Sequence, residues 1–537
     1  MVLEESLAPP AVFMGSMPLR IGTTTEFACV RRFLRDWRFD ESKVIVEALN
    51  IPTISRLRDA DCAQINRSVV PPNLITLIDL FIGGDAVASD RLRAACGEAT
   101  FAALAALDLI RDAHDQQDAV VCPIWLYPVD GLLIASDRQT NPKGGADLLT
   151  NEVVFPAHDS GTLRLLKLLP HPSGGTSLEL CSGSGIGALH LARNGMRAVA
   201  VDITSRSAHY AAFNAQLNGL EVESLCGDLY SPIAGRRFDL ICAHPPWLPS
   251  TGDGMIFRDG GDTGEAILQR IIAGLPDHLN PGGSAILVTL GRDGSDASFQ
   301  QRLREWLGEA GRHCDIIVGV DNILSIENLI GSMLQLHLKN DPEKANRLAD
   351  RFREIGTEKF LHCAIFIRQT DKAIREPPLR LQMSADATAL DFERILAWRG
   401  LRQSAGFGDW LAAAAPRLSA DLELAIRHIV RDGAMTAHSA MLTVRRGLSV
   451  AVQPDVWAAQ MLTQFDGHQT VAKVFETTQR ANRMPSGFTL NAFVDFVGQV
   501  VERGLLDIDA TASNGYCLHE QVCVRDSESR FVGTQHE

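Results

Sequence analysis

No CxxC pair and no regular cysteine spacing occurs in this sequence; its 11 cysteines are scattered through 537 residues. That excludes a disulfide framework and a closed zinc site, and predicts reduced thiols in a cytoplasmic protein. No apolar run approaches the roughly 18 residues of a membrane span. The opening MVLEESLAPP puts acids where a secretory signal needs a basic region and then an apolar stretch. Internal repeats and low-complexity tracts are absent as well. Positive charge is in deficit, with 65 Asp and Glu against 51 Lys and Arg and a net charge of −14. A chain whose task is holding nucleic acid is usually basic, so a nucleic-acid partner is not expected. Lysine almost vanishes beyond residue 380, where Lys473 alone remains, and this marks a change of composition. What is present is an ordinary globular balance, 46% hydrophobic and 22% charged, on a length that suggests roughly two to four domains.

The periodicity predicts a mainly helical segment first, over Phe27–Leu49 and Asp90–Ala113, with PPNLITLIDLFIGG between them as an apolar helix stopped by Gly-Gly. AVVCPIWLYPVDGLLIAS (119–136) predicts a hairpin about a Val-Asp-Gly turn. Residues 140–160 predict a loop, and Thr162–Leu169 a short helix. Strands and helices then alternate. Strands are expected at Ser177–Leu180, Ala198–Val201, Val222–Leu225, Leu240–Ala243, Ser284–Leu290, Asp315–Val320 and Phe360–Arg368, which is the signature of a parallel sheet. A helical insertion is expected over 321–359 and a linker over 369–380. Beyond it, Ala385–Leu401, Asp421–Val430, Val456–Phe465, Gln469–Gln479 and Leu490–Gly504 read as helices before the run LLDI. The tail after about 511 is expected to lack order. The expected domains are therefore 1–155, helical with a hairpin; 156–370, an α/β sheet; and 385–512, helical and winged-helix-like.

Two motifs carry the chemistry. LELCSGSGIG (178–187) is an apolar strand that runs into Gly183, Gly185 and Gly187 and then a helix. Glycines permit a tight turn and close approach of a ligand, and the helix offers unpaired N–H groups to a nucleotide-like cofactor. The same glycines also suit a tight strand–helix turn with no ligand. The next strand ends at Asp202, about twenty residues on, where a carboxylate can accept both hydroxyls of a ribose; capping the following helix is the alternative. Asp228, in GDLY, can accept an exocyclic amine or serve as a loop acid. FDLICAHPPWLP (238–249) is the second motif: a strand that ends in a rigid Pro-Pro pair followed by an aromatic.

Taken together, residues of about 70–290 resemble a class I S-adenosylmethionine (SAM)-dependent methyltransferase of the HemK-like, small-domain type. The GxGxG turn, Asp202, GDLY and FDLI-x-x-x-PPW occur in that family's order. VVFPAHDSGTLRLL resembles its N-terminal extension, and FRDGGDTGEAIL its glycine-rich segment after the Pro-Pro pair. The resemblance implies a seven-stranded Rossmann-like α/β sheet and SAM as cofactor. It implies that Glu179 and the glycines face the methionine part, Asp202 the ribose and Asp228 the adenine, with Cys181, Ile203, Leu229 and His244 completing the cofactor contacts. Residues 456–507 resemble small winged-helix modules of the peptide-binding PqqD-like type; a helical packing or dimerisation domain is the other reading.

One departure stands out. The family's acceptor loop reads Asn- or Asp-Pro-Pro-aromatic, and here it is His244-Pro245-Pro246-Trp247. An imidazole can accept a proton from a hydroxyl, amine or acid, but it lacks an amide's paired donor and acceptor edge. The expected function is therefore methyl transfer to an N or O atom of a small molecule or peptide. His244 and Trp247 are the expected catalytic residues, and Pro245, Pro246, Trp247, Arg258 and Asp259 would line the acceptor pocket with Asp262. His244 could instead cap its loop with Trp247 as a core anchor, and Arg258, Asp259 and Asp262 could form a charged surface turn. Two other functions stay open: a protein-glutamine or nucleic-acid N-methyltransferase, and a non-catalytic SAM-binding scaffold. His158, His190 and His209 read as structural, no metal site is expected, and a homodimer is compatible with the C-terminal segment.

Overall fold

A computed structural model describes residues 17–60, 62–113, 116–138, 151–172, 174–250, 255–336, 341–374, 376–431, 433–481, 483–484 and 487–508. The expectations for the first ten residues, for 140–150 and for the tail after 511 fall outside the described residues. The chain forms two compact units. One comprises residues up to Leu166 with His171–Asn280; the other comprises Lys167–Pro170 and Pro281 onward.

In the first unit, four parallel strands lie in the order Phe238–Ala243, Thr176–Leu180, Arg197–Asp202, Val222–Cys226. The chain builds outward from Thr176–Leu180 in one direction, then returns to place Phe238–Ala243 on its other side. That reversal puts a topological switch point between Thr176–Leu180 and Phe238–Ala243, and open α/β sheets bind ligands beyond the carboxyl ends of strands at such a point. Helices Ile186–Arg193, Ser205–Asn218 and Ala266–His278 link and follow these strands.

The first N-terminal helix packs onto helix Ser205–Asn218, and the N-terminal segment does not form a unit of its own. Phe27 meets Phe213 edge-on at 5.1 Å, and Arg31 Nη1 donates to the carbonyls of Gln216 and Leu217. The hairpin Trp125–Val129/Leu132–Ser136 turns through Asp130 (φ 52°) and Gly131 (φ 67°), the left-handed pair of a type I′ turn. Its edge is held by two asparagines of helix Ser205–Asn218. The Asn214 side chain accepts from Ala135 N and donates to Ala135 O, and Asn218 does the same for Leu133. Compactness therefore draws no division at 155. The helical stretch expected over Phe27–Leu49 is two elements, Thr24–Asp36 and the π-helical Ser42–Ala48, because Arg38 adopts φ 54° between them. The helix expected over Asp90–Ala113 likewise breaks at Gly97 (φ 77°, ψ 160°) into Ser89–Cys96 and Glu98–Ala106.

In the second unit, Thr357–Gln369 runs antiparallel between Leu279–Gly294 and Cys314–Leu324. Among the described residues seven strands thus lie between Thr176 and Gln369, and the α/β, Rossmann-like class stands. The expected linker leads straight into a strand, Leu379–Met383, parallel to Cys314–Leu324 and antiparallel to Leu448–Val452. The helix expected at Asp421–Val430 is a correction: Leu422–Arg431 is a strand, paired with Ala434–Val444. Leu422, Glu423, Leu424, Ala425, Ile426 and Arg427 alternate between half-buried and exposed, and a period of two belongs to a strand. Helices Val456–Leu462, Val471–Arg480 and Leu490–Glu502 follow as expected. Residues 385 onward are not set apart from the sheet. Buried Arg399 donates to Asp315 of Cys314–Leu324 (2.7 Å) and to Glu502 of the last helix (3.0 Å).

Candidate active site

Strand Thr176–Leu180 ends at Cys181 (φ 53°), and the chain turns through Gly183 (φ 51°) and Gly185 (φ 78°) into helix Ile186–Arg193. The three glycines have different reasons. A Cβ on Gly185 would lie 2.7 Å from Ala211 Cβ, and one on Gly187 would lie 2.5 Å from Glu179 Oε1. These two glycines let elements pack. A Cβ on Gly183 would meet nothing within 4 Å, so this glycine borders open space.

Glu179 is buried and turns its carboxylate to the helix start, accepting from Gly187 N (3.0 Å) and Ala188 N (2.9 Å). Burial dominates over these bonds and pushes its pKa up to about 7. Asp202 accepts from Gly183 N (2.9 Å) and from Thr204 N (3.1 Å). Burial raises its pKa as well. Thr204, not Asp202, caps helix Ser205–Asn218. Asp202 instead fastens the glycine turn to the neighbouring strand. Beside it, Ile203 is 56% exposed, an apolar side chain at the rim. Asp228 ion-pairs with Arg270 at 2.6 Å, and Leu229 (φ 48°) is buried beneath the loop. The Cys181 thiol is pushed up by burial, then by the charges of Asp202, Glu179 and Asp228. Three carboxylates therefore converge on the carboxyl edge of the sheet.

On the other side of the switch point, strand Phe238–Ala243 delivers His244, Pro245, Pro246 and Trp247, with Trp247 half-buried. This loop is clasped by the segment that follows it in sequence. Leu248 N donates to Arg258 O, and Gly260 N to Leu248 O. Asp259 binds Ser250 Oγ (2.8 Å) and Gly261 N (2.9 Å). A Cβ on Gly264 would strike Trp247 O at 2.5 Å. The carboxylate of Asp259 thus braces the loop, while Asp262 is exposed on the turn. Arg258 lies over the Phe257 ring, and Phe257 stacks on Phe155 at 4.9 Å. His244 packs against the start of helix Ser160–Leu168. Its Nδ1 is 3.3 Å from Thr162 Oγ1, and its ring fills the space a Cβ on Gly161 would need.

Sequence reading missed Phe155, Gly161, Thr162, Asn214 and Arg270. Asn214 offered a signal: a polar residue on the inward face of a helix, fully buried, that also donates to Ser184 O in the glycine turn. The others reach the site only through tertiary packing. Of the histidines read as structural, His190 Nδ1 bonds Asp130 at 2.6 Å and His209 Nε2 faces Leu19 O. Among the described residues no His, Cys, Asp and Glu group could hold a metal ion.

A glycine turn, two buried acids at successive strand ends and a Pro-Pro-aromatic loop at the switch point of a parallel sheet define the class of SAM-dependent methyltransferases. Residues 146–310 match the family model described as methyltransferase small domain. The chain is 36% identical over 139 residues to a putative protein N5-glutamine methyltransferase of Methanocaldococcus jannaschii, covering 25% of this chain and 69% of the relative. It therefore belongs to that family. It is 32% identical to the ribosomal protein uL3 glutamine methyltransferase of Bradyrhizobium diazoefficiens, over 29% of this chain and 53% of the relative. A release factor glutamine methyltransferase of Geobacter sulfurreducens is 30% identical, over 27% and 55%. The chain thus spans little more than half the length of these last two. Among solved structures, a Thermus thermophilus 16S rRNA N2 G1207 methyltransferase bound to AdoMet and guanosine aligns with a TM-score of 0.24 at 20% identity, over 38% of this chain and 55% of that one.

The cofactor of this class is S-adenosyl-L-methionine, and the residues present fit it. Gly183 leaves room where a side chain would intrude, and an edge carrying three carboxylates suits a ligand that bears a sulfonium and an ammonium.

Proposed function

We propose that this chain transfers a methyl group from SAM to a nitrogen or oxygen of a peptide or small-molecule acceptor. The observation that carries the reading is the juxtaposition of the open glycine turn and its acids with the His244–Trp247 loop across one switch point. In this reading Gly183 and Glu179 border the methionine part, Asp202 holds the ribose hydroxyls, Ile203 and Leu229 pack against the base, and Asp228 meets its amine. The cofactor supplies a methyl group already activated on sulfur. What the chain adds is alignment, which is worth several orders of magnitude when the reacting atoms are held near contact. His244 orients the acceptor or takes its proton, Trp247 walls the pocket, and the two prolines keep both in place. Arg258 is offered to the acceptor from the clasping segment, with Asp259 bracing that segment.

A second reading, methylation of a glutamine side-chain amide, is favoured by the three relatives named for that activity. It requires His244 to serve in place of an amide or carboxylate. Transfer from tritiated SAM into cell extract, separated into metabolite, protein and nucleic-acid fractions, decides between these. Label in the metabolite fraction, or on polypeptide elsewhere than a glutamine amide, supports the first reading. Label on protein recovered as N5-methylglutamine after digestion supports the second. Label confined to nucleic acid would overturn both. His244→Asn separates them further: it should raise activity on amides if the imidazole only orients, and should fall about 10²–10⁴-fold if proton removal matters.

A further inference from the structure

We propose that His244 and Gly161 are a matched pair, and that Thr162 is the positioning residue that fixes the ring between them. The inference rests on the reading that His244 faces the acceptor. An ideal Cβ on Gly161 would sit 2.5 Å from His244 Cε1 and 2.6 Å from Nε2. Real side chains do not approach so closely, so the imidazole occupies volume that any other residue at 161 would claim. No positive φ explains this glycine: Gly161 is not among the left-handed positions. It lies in the first turn of helix Ser160–Leu168, where the backbone angle would accept any residue. A glycine with an ordinary backbone angle is explained by what its missing side chain admits. What it admits is the ring that departs from the family's loop.

The next residue completes the arrangement. Thr162 Oγ1 lies 3.3 Å from Nδ1, and a hydroxyl can donate to that nitrogen or accept from it, so Thr162 holds the ring's orientation in either tautomer. Asp159 Oδ2 accepts from Gly161 N at 2.9 Å and holds the turn in register with the ring. The first turn of one helix therefore fixes the orientation of a side chain about eighty residues further on. Asparagine at 244 would end short of the positions that Cε1 and Nε2 occupy, so the cradle at 161 is specific to histidine.

The test uses the full chain with ring-labelled histidine, followed by nitrogen and carbon NMR, with His244 assigned by its loss in His244→Asn. Thr162→Val should shift the His244 Nδ1 resonance, and Thr162→Ser should restore it. Gly161→Ala should shift the His244 Cε1 resonance while Tm holds or rises. In turnover of tritiated SAM with the extract fraction that labels, Gly161→Ala should cost about 10²-fold in wild type, as ring misplacement does. In the His244→Asn background it should cost less than about threefold. Equal losses in both backgrounds, or His244 resonances unmoved by Gly161→Ala and Thr162→Val, would overturn the pairing. If His244→Ala turns over like wild type, it is instead the acceptor-facing reading that fails. Calorimetric SAM affinity should be unchanged in Gly161→Ala and Thr162→Val, which separates ring misplacement from loss of the cofactor site.

Discussion

At the scale of single residues, the glycine turn shows why a motif is both legible and ambiguous. Three alternating glycines predict a turn, but only their neighbours reveal that Gly185 and Gly187 serve packing and Gly183 serves open space. Gly185→Ala would force a methyl against Ala211 at φ 78° and should cost several kcal/mol of stability. Gly183→Ala should lose about 1–2 kcal/mol from its left-handed φ and additionally weaken SAM binding in calorimetry; affinity equal to wild type would remove the cofactor from that side of the turn. Asp202→Ala should weaken binding by about 1–3 kcal/mol, from unpaired hydroxyls and an unpaired Gly183 N. Glu179 carries a pH signature. Its pKa is raised from 4.5 to about 7, so the native state keeps a proton that the unfolded chain has released. Its contribution to stability therefore falls as pH rises between those values. A cationic ligand nearby favours the ionised form, so SAM binding near pH 6–7 should release a proton, read from calorimetry in buffers of different ionisation enthalpy. Glu179→Gln should abolish that release.

At the scale of elements, the seven strands of the α/β segment were legible because each is a short apolar run bounded by turn residues. Their ends differ from expectation by a few residues, most at Leu279–Gly294, where Asn280-Pro-Gly-Gly reads as a turn but lies inside the strand. The strand Leu422–Arg431 was misread because its alternation is diluted by alanine and by consecutive polar residues at Arg427 and His428, where the register shifts. The attachment of the hairpin could not be read at all, since nothing local tells that Asn214 will reach Ala135 and Ser184 at once. That link yields a prediction. Asn214→Ala strands the buried backbone groups of Ala135 and Ser184, at about 1–3 kcal/mol for each unsatisfied group. It should lower Tm and also SAM affinity, because the same amide steadies the glycine turn. Asn218→Ala, farther along the helix, should lower Tm with affinity preserved.

At the scale of the whole molecule, composition suggested a separable piece after residue 385, and the second unit does not divide there. Arg399, 3% exposed, lies between Asp315 and Glu502, so a chain cut near 375 would leave Asp315 buried without its cation, and breaking a buried pair from one side costs about 3–5 kcal/mol. A protein ending at 375 should therefore aggregate or show a broadened melting transition, and a cooperative melt at the full-length Tm would return the boundary to 385. The outer strand of this unit carries a further consequence. Leu422–Arg431 is hydrogen-bonded along one side by Ala434–Val444, and its far end shows Val430 and Met435, cross-strand partners, at 72% and 74% exposure. Nature usually guards such a margin with lysine or proline, and lysine is what this half of the sequence has almost given up. The handling of the protein at high concentration should therefore be governed by the tip of one strand pair far in sequence from its chemistry: Val430→Lys with Met435→Lys should suppress light scattering on storage and leave methyl transfer as it was.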